Sequence, residues 1–253
     1  MYFDTHAHYD DKAFDEDREQ LLASMSEGNV SLIVNPAIDL ESSRRAISFA
    51  EKYDFMYAAV GYHPEDISKF SEEDYREVCK LAEYPKCVAI GEIGLDYYWD
   101  DTHKEEQKEI FKRQIELALK LGKPVIIHDR EAHGDSMEIT GQYPELKGVF
   151  HCYSGSAEMA KELLRRGWYL GFDGPVTYKN ARKTIEVLEI CPLDRILIET
   201  DSPYMSPVPL RGKRNDSRNL CHMVEKIGEI KGESSERIAA ITLENGKRLF
   251  NIK

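Results

Sequence analysis

The stretch Glu105 to Leu121, then Gly122-Lys123-Pro124, then Val125-Ile126-Ile127 and His128-Asp129-Arg130, contains a helix, its stop, a strand and a polar tip in that order. Phe111, Ile115, Ala118 and Leu119 recur at helical spacing, and the glycine and proline after them end the period. The next apolar run, of three residues, is β-branched and too short for a helix. Working outward, similar short runs recur at Met1 to Asp4, Ser31 to Val34, Met56 to Val60, Val88 to Ile90, Gly148 to Phe150, Tyr169 to Phe172 and Ile196 to Ile198. Eight such strands alternating with helices in a chain of this length predict an α/β fold of the (β/α)8 TIM barrel type, its sheet parallel because the crossovers are right-handed. The rival is an open doubly wound sheet. Neither G-x-G-x-x-G nor G-x-x-x-x-G-K-[ST] comes after any strand, so the phosphate loop such sheets often carry is missing.

The 253 residues are 42% hydrophobic, without a composition break or linker-like stretch, and a single domain over residues 1–253 is expected. Five cysteines, an odd number with no C-x-x-C pair, argue against a disulfide framework and a structural zinc cluster. A reducing compartment fits them. No basic-then-apolar leader and no membrane-length apolar run occur, so the expectation is a soluble cytoplasmic protein with no membrane association. A net charge of -12 and a pI near 5.2 exclude a broad polyanion-binding surface, so any phosphate recognition must be local. The run His103-Lys104-Glu105-Glu106-Gln107-Lys108-Glu109 reads as a solvated helix face.

The residues just after each apolar run carry the chemistry, because barrel enzymes draw their sites from the C-terminal ends of strands. The first run leads into Asp4-Thr5-His6-Ala7-His8, where alternation along a strand points His6 and His8 the same way. The third leads into Gly61-Tyr62-His63-Pro64, the fourth into Gly91-Glu92-Ile93-Gly94-Leu95-Asp96, and the fifth into His128-Asp129-Arg130. The sixth leads into His151-Cys152-Tyr153-Ser154-Gly155 and the eighth into Glu199-Thr200-Asp201-Ser202-Pro203. One histidine after a strand is ordinarily a hydrogen-bonded structural residue. Five of the eight histidines in that position (His6, His8, His63, His128 and His151) point instead to one shared site. His103 and His222 read as surface residues, and His133 stays ambiguous.

Four imidazoles with Glu92 and Asp201 exceed the needs of one tetrahedral ion and suit two divalent ions sharing a carboxylate. Such a pair activates water and stabilises a leaving oxygen, so hydrolysis is the natural outcome. Imidazole suits Zn, Mn, Fe, Co or Ni, whereas Mg prefers more oxygen, and the donor set leaves the ion open. Asp201 is placed to accept the proton of the attacking water; its bland alternative is a helix N-cap. Asp4 shares the inward face of strand one with the two histidines and reads as a supporting polar residue.

With these motifs in view, the chain resembles the TatD family of metal-dependent hydrolases, within the amidohydrolase-like barrel superfamily. The resemblance spans essentially the whole chain, through Asp-Thr-His-Ala-His at 4 to 8, Gly-Tyr-His-Pro at 61 to 64, Ala-Ile-Gly-Glu-Ile-Gly-Leu-Asp-Tyr at 89 to 97, Ile-His-Asp-Arg at 127 to 130, His-Cys-Tyr-Ser-Gly at 151 to 155 and Glu-Thr-Asp-Ser-Pro at 199 to 203. It implies that His6, His8 and Asp201 hold one metal, that His128 and His151 hold the other, and that Glu92 bridges them. The implied activity is phosphodiester hydrolysis, chiefly deoxyribonuclease and often 3′ to 5′ exonuclease action on single strands. The partner is then nucleic acid as substrate, as DNA ends or oligonucleotides, with no obligate protein partner evident. His63, in the family's Gly-x-His-Pro motif, looks like a phosphate contact, with a capped turn before Pro64 as the plain alternative. Arg211, opening Arg211-Gly212-Lys213-Arg214-Asn215, is the candidate bidentate phosphate clamp. One departure stands out: shortly after the asparagine of that loop the family usually has proline, and this chain has Ser217. The competing function is an amide or ester hydrolase on a small molecule, which the same barrel and metals would serve.

Overall fold

The computed structural model describes residues 1–253. Eight strands form one sheet in the order β1-β2-β3-β4-β5-β6-β7-β8. They are β1 (Tyr2–Asp4), β2 (Val30–Pro36), β3 (Met56–Val60), β4 (Cys87–Asp96), β5 (Val125–Arg130), β6 (Gly148–Phe150), β7 (Tyr169–Phe172) and β8 (Ile196–Ile198), with helices in the connections. The first and last strands are joined where Ala7 bridges Ser202 in parallel, and Thr5 N–H donates to the Ile198 carbonyl at 3.2 Å. This is the expected (β/α)8 barrel. No helix is long and apolar enough to cross a membrane, and none of the five cysteines is in a disulfide.

The chain packs as two compact units, one of Met1–Asn35, Cys152–Arg248 and Ile252–Lys253, the other of Pro36–His151 and Leu249–Asn251. In the first unit β1 pairs with β2 (Asp4 beside Ile33) and β7 with β8 (Phe172 beside Ile198), both parallel. Phe3, Ile33, Leu170, Phe172 and Leu197 are fully buried there, each worth about 1.5–3 kcal/mol as apolar burial.

In the second unit β3, β4, β5 and β6 pair in sequence, all parallel. The helix Leu40–Lys52 starts in a capping box, where Asp39 accepts from Ser42 N–H at 2.8 Å and Ser42 Oγ accepts from Asp39 N–H at 2.9 Å. The helix Lys104–Leu121 is the one its apolar spacing predicts, and it ends at Gly122 with φ 63°, the left-handed stop expected of that glycine. Its face buries Phe111, Ile115 and Ala118 with two glutamines. Gln114 Oε1 accepts from Tyr62 N–H at 2.7 Å and Gln107 Oε1 accepts from Asp96 N–H at 2.9 Å. Each amide also donates back, to the Tyr62 carbonyl at 3.0 Å and to the Asp96 carbonyl at 3.0 Å. One helix therefore holds the backbone beside His63 and at the tip of β4.

The fourth strand differs from its sequence reading. The apolar run spans only Val88 to Ile90, whereas β4 continues to Asp96 and is buried throughout. Opposite β5 its register moves from Ile90 beside Val125 to Ile93 beside Ile127, so Gly91-Glu92 contains one extra residue, a bulge that re-aims the Glu92 side chain. Glycine is required on both sides. A Cβ on Gly91 would lie 2.7 Å from Ile126 Cβ, and one on Gly94, at φ 147°, would lie 1.9 Å from the His128 carbonyl oxygen. These glycines look like strand breakers in sequence and act as close-approach points in the fold.

Candidate metal centre

In the first unit the turn out of β1 brings His6 and His8 together, as their alternation predicts. Their Nε2 atoms are 3.0 Å apart, and each lies 3.6 Å from Asp201 Oδ1. Asp201 comes after β8 with φ 52°, a left-handed conformation uncommon for a residue with a side chain. No helix begins there, so the N-cap alternative does not apply. A separation of 3.0 Å is hydrogen-bond distance if one imidazole carries the proton. It also matches what two nitrogens adopt around a shared cation with bonds of about 2.1 Å. Two imidazoles and a carboxylate brought this close together thus fit a divalent ion.

Beneath this trio Asp4 is fully buried and accepts from Thr200 N–H at 2.9 Å, Thr200 Oγ1 at 2.6 Å and His6 N–H at 3.4 Å. Burial pushes its carboxyl up to about 7, against the pull of these donors. Asp4 thereby fixes the backbone on both sides of the histidine–aspartate trio, the supporting role its position predicts. Glu199 is a second buried carboxylate, accepting from Thr5 Oγ1 at 3.3 Å and from Cys152 N–H. Sequence reasoning places Glu199 at a strand end but assigns it no part. A signal does exist: Gly171 stands opposite, where a Cβ would lie 2.6 Å from Glu199 Oε1.

In the second unit Glu92 Oε1 is the hub. It lies 2.7 Å from His151 Nε2, 2.8 Å from His128 Nδ1 and 3.5 Å from His63 Nε2, with Glu92 and all three imidazole side chains mostly shielded from solvent. Three of these groups, Glu92, His128 and His151, are within reach of a single ion. Burial opposes charge on His128, yet hydrogen bonds donated by its ring nitrogens to Asp96 and Glu92 outweigh it and push the imidazole up to about 9. Asp96 is the residue sequence reasoning misses. Its Oδ2 lies 2.9 Å from His128 Nε2, which leaves Nδ1 facing Glu92, and so it fixes which nitrogen is offered to a metal. The clue is positional, since Asp96 is the register partner of Arg130, two residues beyond His128.

His63 satisfies its plain alternative and adds to it. Nδ1 accepts from Glu65 N–H at 3.2 Å, capping the short 3-10 turn Pro64–Lys69, while Nε2 faces Glu92. His133 begins the helix His133–Gly141 and pairs with Asp129 at 2.8 Å. His103 is exposed and bonded to Asp100, in keeping with its surface reading.

Arg211 lies with its guanidinium 4.2 Å from the centre of the Tyr178 ring, lining a cavity of about 500 Å³ with Tyr178, Tyr204 and Lys213. Arg214 is engaged elsewhere, by both oxygens of Asp17 at 2.7 and 2.6 Å. Ser217, at the place where the family usually has proline, is buried; its N–H donates to Tyr9 Oη at 3.0 Å and its Oγ lies 2.8 Å from the same oxygen. A proline could make neither bond.

The chain is similar to known proteins over essentially its whole length. A family model described as TatD related DNase matches residues 3–251. The metal-dependent hydrolase YabD of Bacillus subtilis is 45% identical over 254 residues, covering 100% of both chains. The 3′-5′ ssDNA/RNA exonuclease TatD of Cronobacter sakazakii is 34% identical over 257 residues, covering 98% of this chain and 97% of that protein. The crystal structure of YjjV, a TatD homologue from Escherichia coli K12, superimposes with a TM-score of 0.94 at 32% identity, over 100% of this chain and 98% of the other.

Proposed function

The chain belongs to the TatD family of metal-dependent hydrolases, and from that premise we propose that it hydrolyses phosphodiesters as a 3′-5′ exonuclease on DNA ends or single strands. The observation that carries the metal reading is the convergence of His151, His128 and His63 on one Glu92 oxygen at 2.7, 2.8 and 3.5 Å. We assign His6, His8 and Asp201 to one divalent ion, His128 and His151 to a second, and the bridge to Glu92. Divalent ions held this way would acidify a water and offset charge on the phosphoryl oxygens. Asp201 accepts the proton of the attacking water, its carboxylate oxygen lying 3.6 Å from both imidazoles. Arg211 and His63 hold phosphate oxygens; the Arg211 fork is stacked against Tyr178, ready for a bidentate contact. The exonuclease activity carried in the name of the Cronobacter relative supports this substrate class. We read the chain as one cytoplasmic domain, on the unbroken family match over residues 3–251 and five unpaired cysteines.

The test is purified protein of measured metal content, assayed on 3′- and 5′-labelled single and double strands beside a panel of amides and lactones. Single strands shortened from the 3′ end are expected. Turnover of amides or lactones alone would reassign the substrate. Glu92→Ala is expected to abolish hydrolysis with every metal, and substantial residual turnover would remove the bridging assignment.

A further inference from the structure

We propose that Tyr98, Trp99 and Arg130 form a base-stacking platform for single-stranded nucleic acid, an inference that rests on the substrate class proposed above. Tyr98 and Trp99 are consecutive, 58% and 61% exposed, and sit in the loop that leaves β4 directly after Asp96. Exposed tyrosine and tryptophan side by side leave a large apolar area in water. Nothing in the local fold requires this. The loop is anchored without these two rings: the Tyr97 hydroxyl donates to Asp135 at 2.6 Å and its backbone N–H donates to the Arg130 carbonyl at 2.9 Å.

The rings are held rather than loose. Their centroids are 4.9 Å apart in an edge-on arrangement, and the Arg130 guanidinium lies 4.1 Å from the Tyr98 centroid and 5.4 Å from that of Trp99. Asp96 Oδ1 accepts from both Tyr98 N–H and Trp99 N–H at 2.9 Å, while Oδ2 of the same carboxylate grips His128. One side chain therefore sets both the metal-ligating imidazole and the backbone under the rings. Arg130 comes from β5, two residues beyond His128.

Aromatic faces with an arginine are what single strands stack on, without regard to sequence. Charge chooses between occupants. Arg130 supplies a cation for a polyanion, while Asp100 close by is held at about 2 by Thr102 and His103 and stays anionic, so the patch takes rings rather than a run of phosphates. Two side chains are also far short of the roughly 800 Å² per partner of a stable protein interface.

Fluorescence can report the site directly, because the chain has two tryptophans and the other, Trp168, is buried. The experiment compares binding of metal-loaded protein to phosphorothioate-linked single strands, one bearing bases and one made of abasic tetrahydrofuran units. Tryptophan quenching and an affinity about tenfold higher for the base-bearing strand are expected. Trp99→Ala should erase most of that preference, Tyr98→Ala part of it, and Trp99→Phe should restore it. Equal affinity for the two strands, or an unchanged preference in Trp99→Ala, would overturn the platform, as would concentration-dependent dimerisation that Trp99→Ala abolishes. Cleavage of ordinary phosphodiester strands, followed in parallel, separates the two readings. Cleavage without base preference sinks the platform and leaves the nuclease, whereas base preference without cleavage does the reverse.

Discussion

Asp96 shows how much one carboxylate can determine. Its two oxygens serve different masters, the His128 imidazole and the loop backbone. Residues that orient a metal-binding imidazole through its other nitrogen typically contribute a factor of about 10–100 in metal affinity. Asp96→Ala is therefore expected to weaken metal binding by that factor while the far-ultraviolet dichroism is unchanged; calorimetric titration with Zn or Mn checks it, and unaltered affinity would show that His128 needs no such support. At this scale the sequence is most legible for the proposed ligands and least for their supports. His6, His8, Glu92, His128, His151 and Asp201 announce themselves because each ends an apolar run. Asp96 and Glu199 do so too, but what they contact depends on register and on Gly171 across the sheet, which no local pattern encodes.

Among the elements, the eight strands are readable because short apolar runs bounded by turn residues are a local signal. Where they end is not. In β4 the glycines that make room for Ile126 and the His128 carbonyl are the same residues that suggest a break, so the bulge aiming Glu92 is invisible in sequence. Gly94→Ala should be destabilising by more than about 3 kcal/mol, since neither the left-handed φ nor the neighbouring backbone can yield; urea denaturation measures it, and a loss under about 1 kcal/mol would mean the strand can shift. The cap of the helix Leu40–Lys52 offers a gentler case. Burial alone would raise Asp39, but Ser42 N–H and Oγ–H with Lys69 more than offset it, leaving the carboxyl below its usual value. A depressed folded-state value stabilises the protein above the unfolded pKa of about 3.9, and the contribution is lost as pH falls through the folded value. Asp39→Ala should thus cost about 1 kcal/mol at pH 7, and the difference from wild type should shrink below about pH 4 in thermal melts.

For the whole molecule, a net charge of -12 sets the terms on which it would meet the proposed nucleic-acid substrate. Tight binding of long duplex relies on many phosphate contacts and falls steeply with salt. Weak duplex binding is expected here, and an affinity that is high at low salt and collapses with added salt would contradict it. Metal loading should matter to the entire fold: an ion present at about 100 times its Kd stabilises by about 2.7 kcal/mol. Exhaustive chelation is expected to lower Tm by about 5–10 °C, measured by scanning calorimetry, and an unmoved Tm would mean that the folded chain holds no such ion.

The division of Asp96 between imidazole and loop also constrains engineering. Lengthening or shortening the turn at 97–103 would drag the carboxylate away from His128, so a graft there would change substrate preference only by disarming that proposed metal ligand. The side chains at 98 and 99 take no part in that tether, since Asp96 holds only their backbone nitrogens. Specificity is thus adjustable by point substitution on a fixed frame, and loop replacement at this edge of the sheet is a dead end.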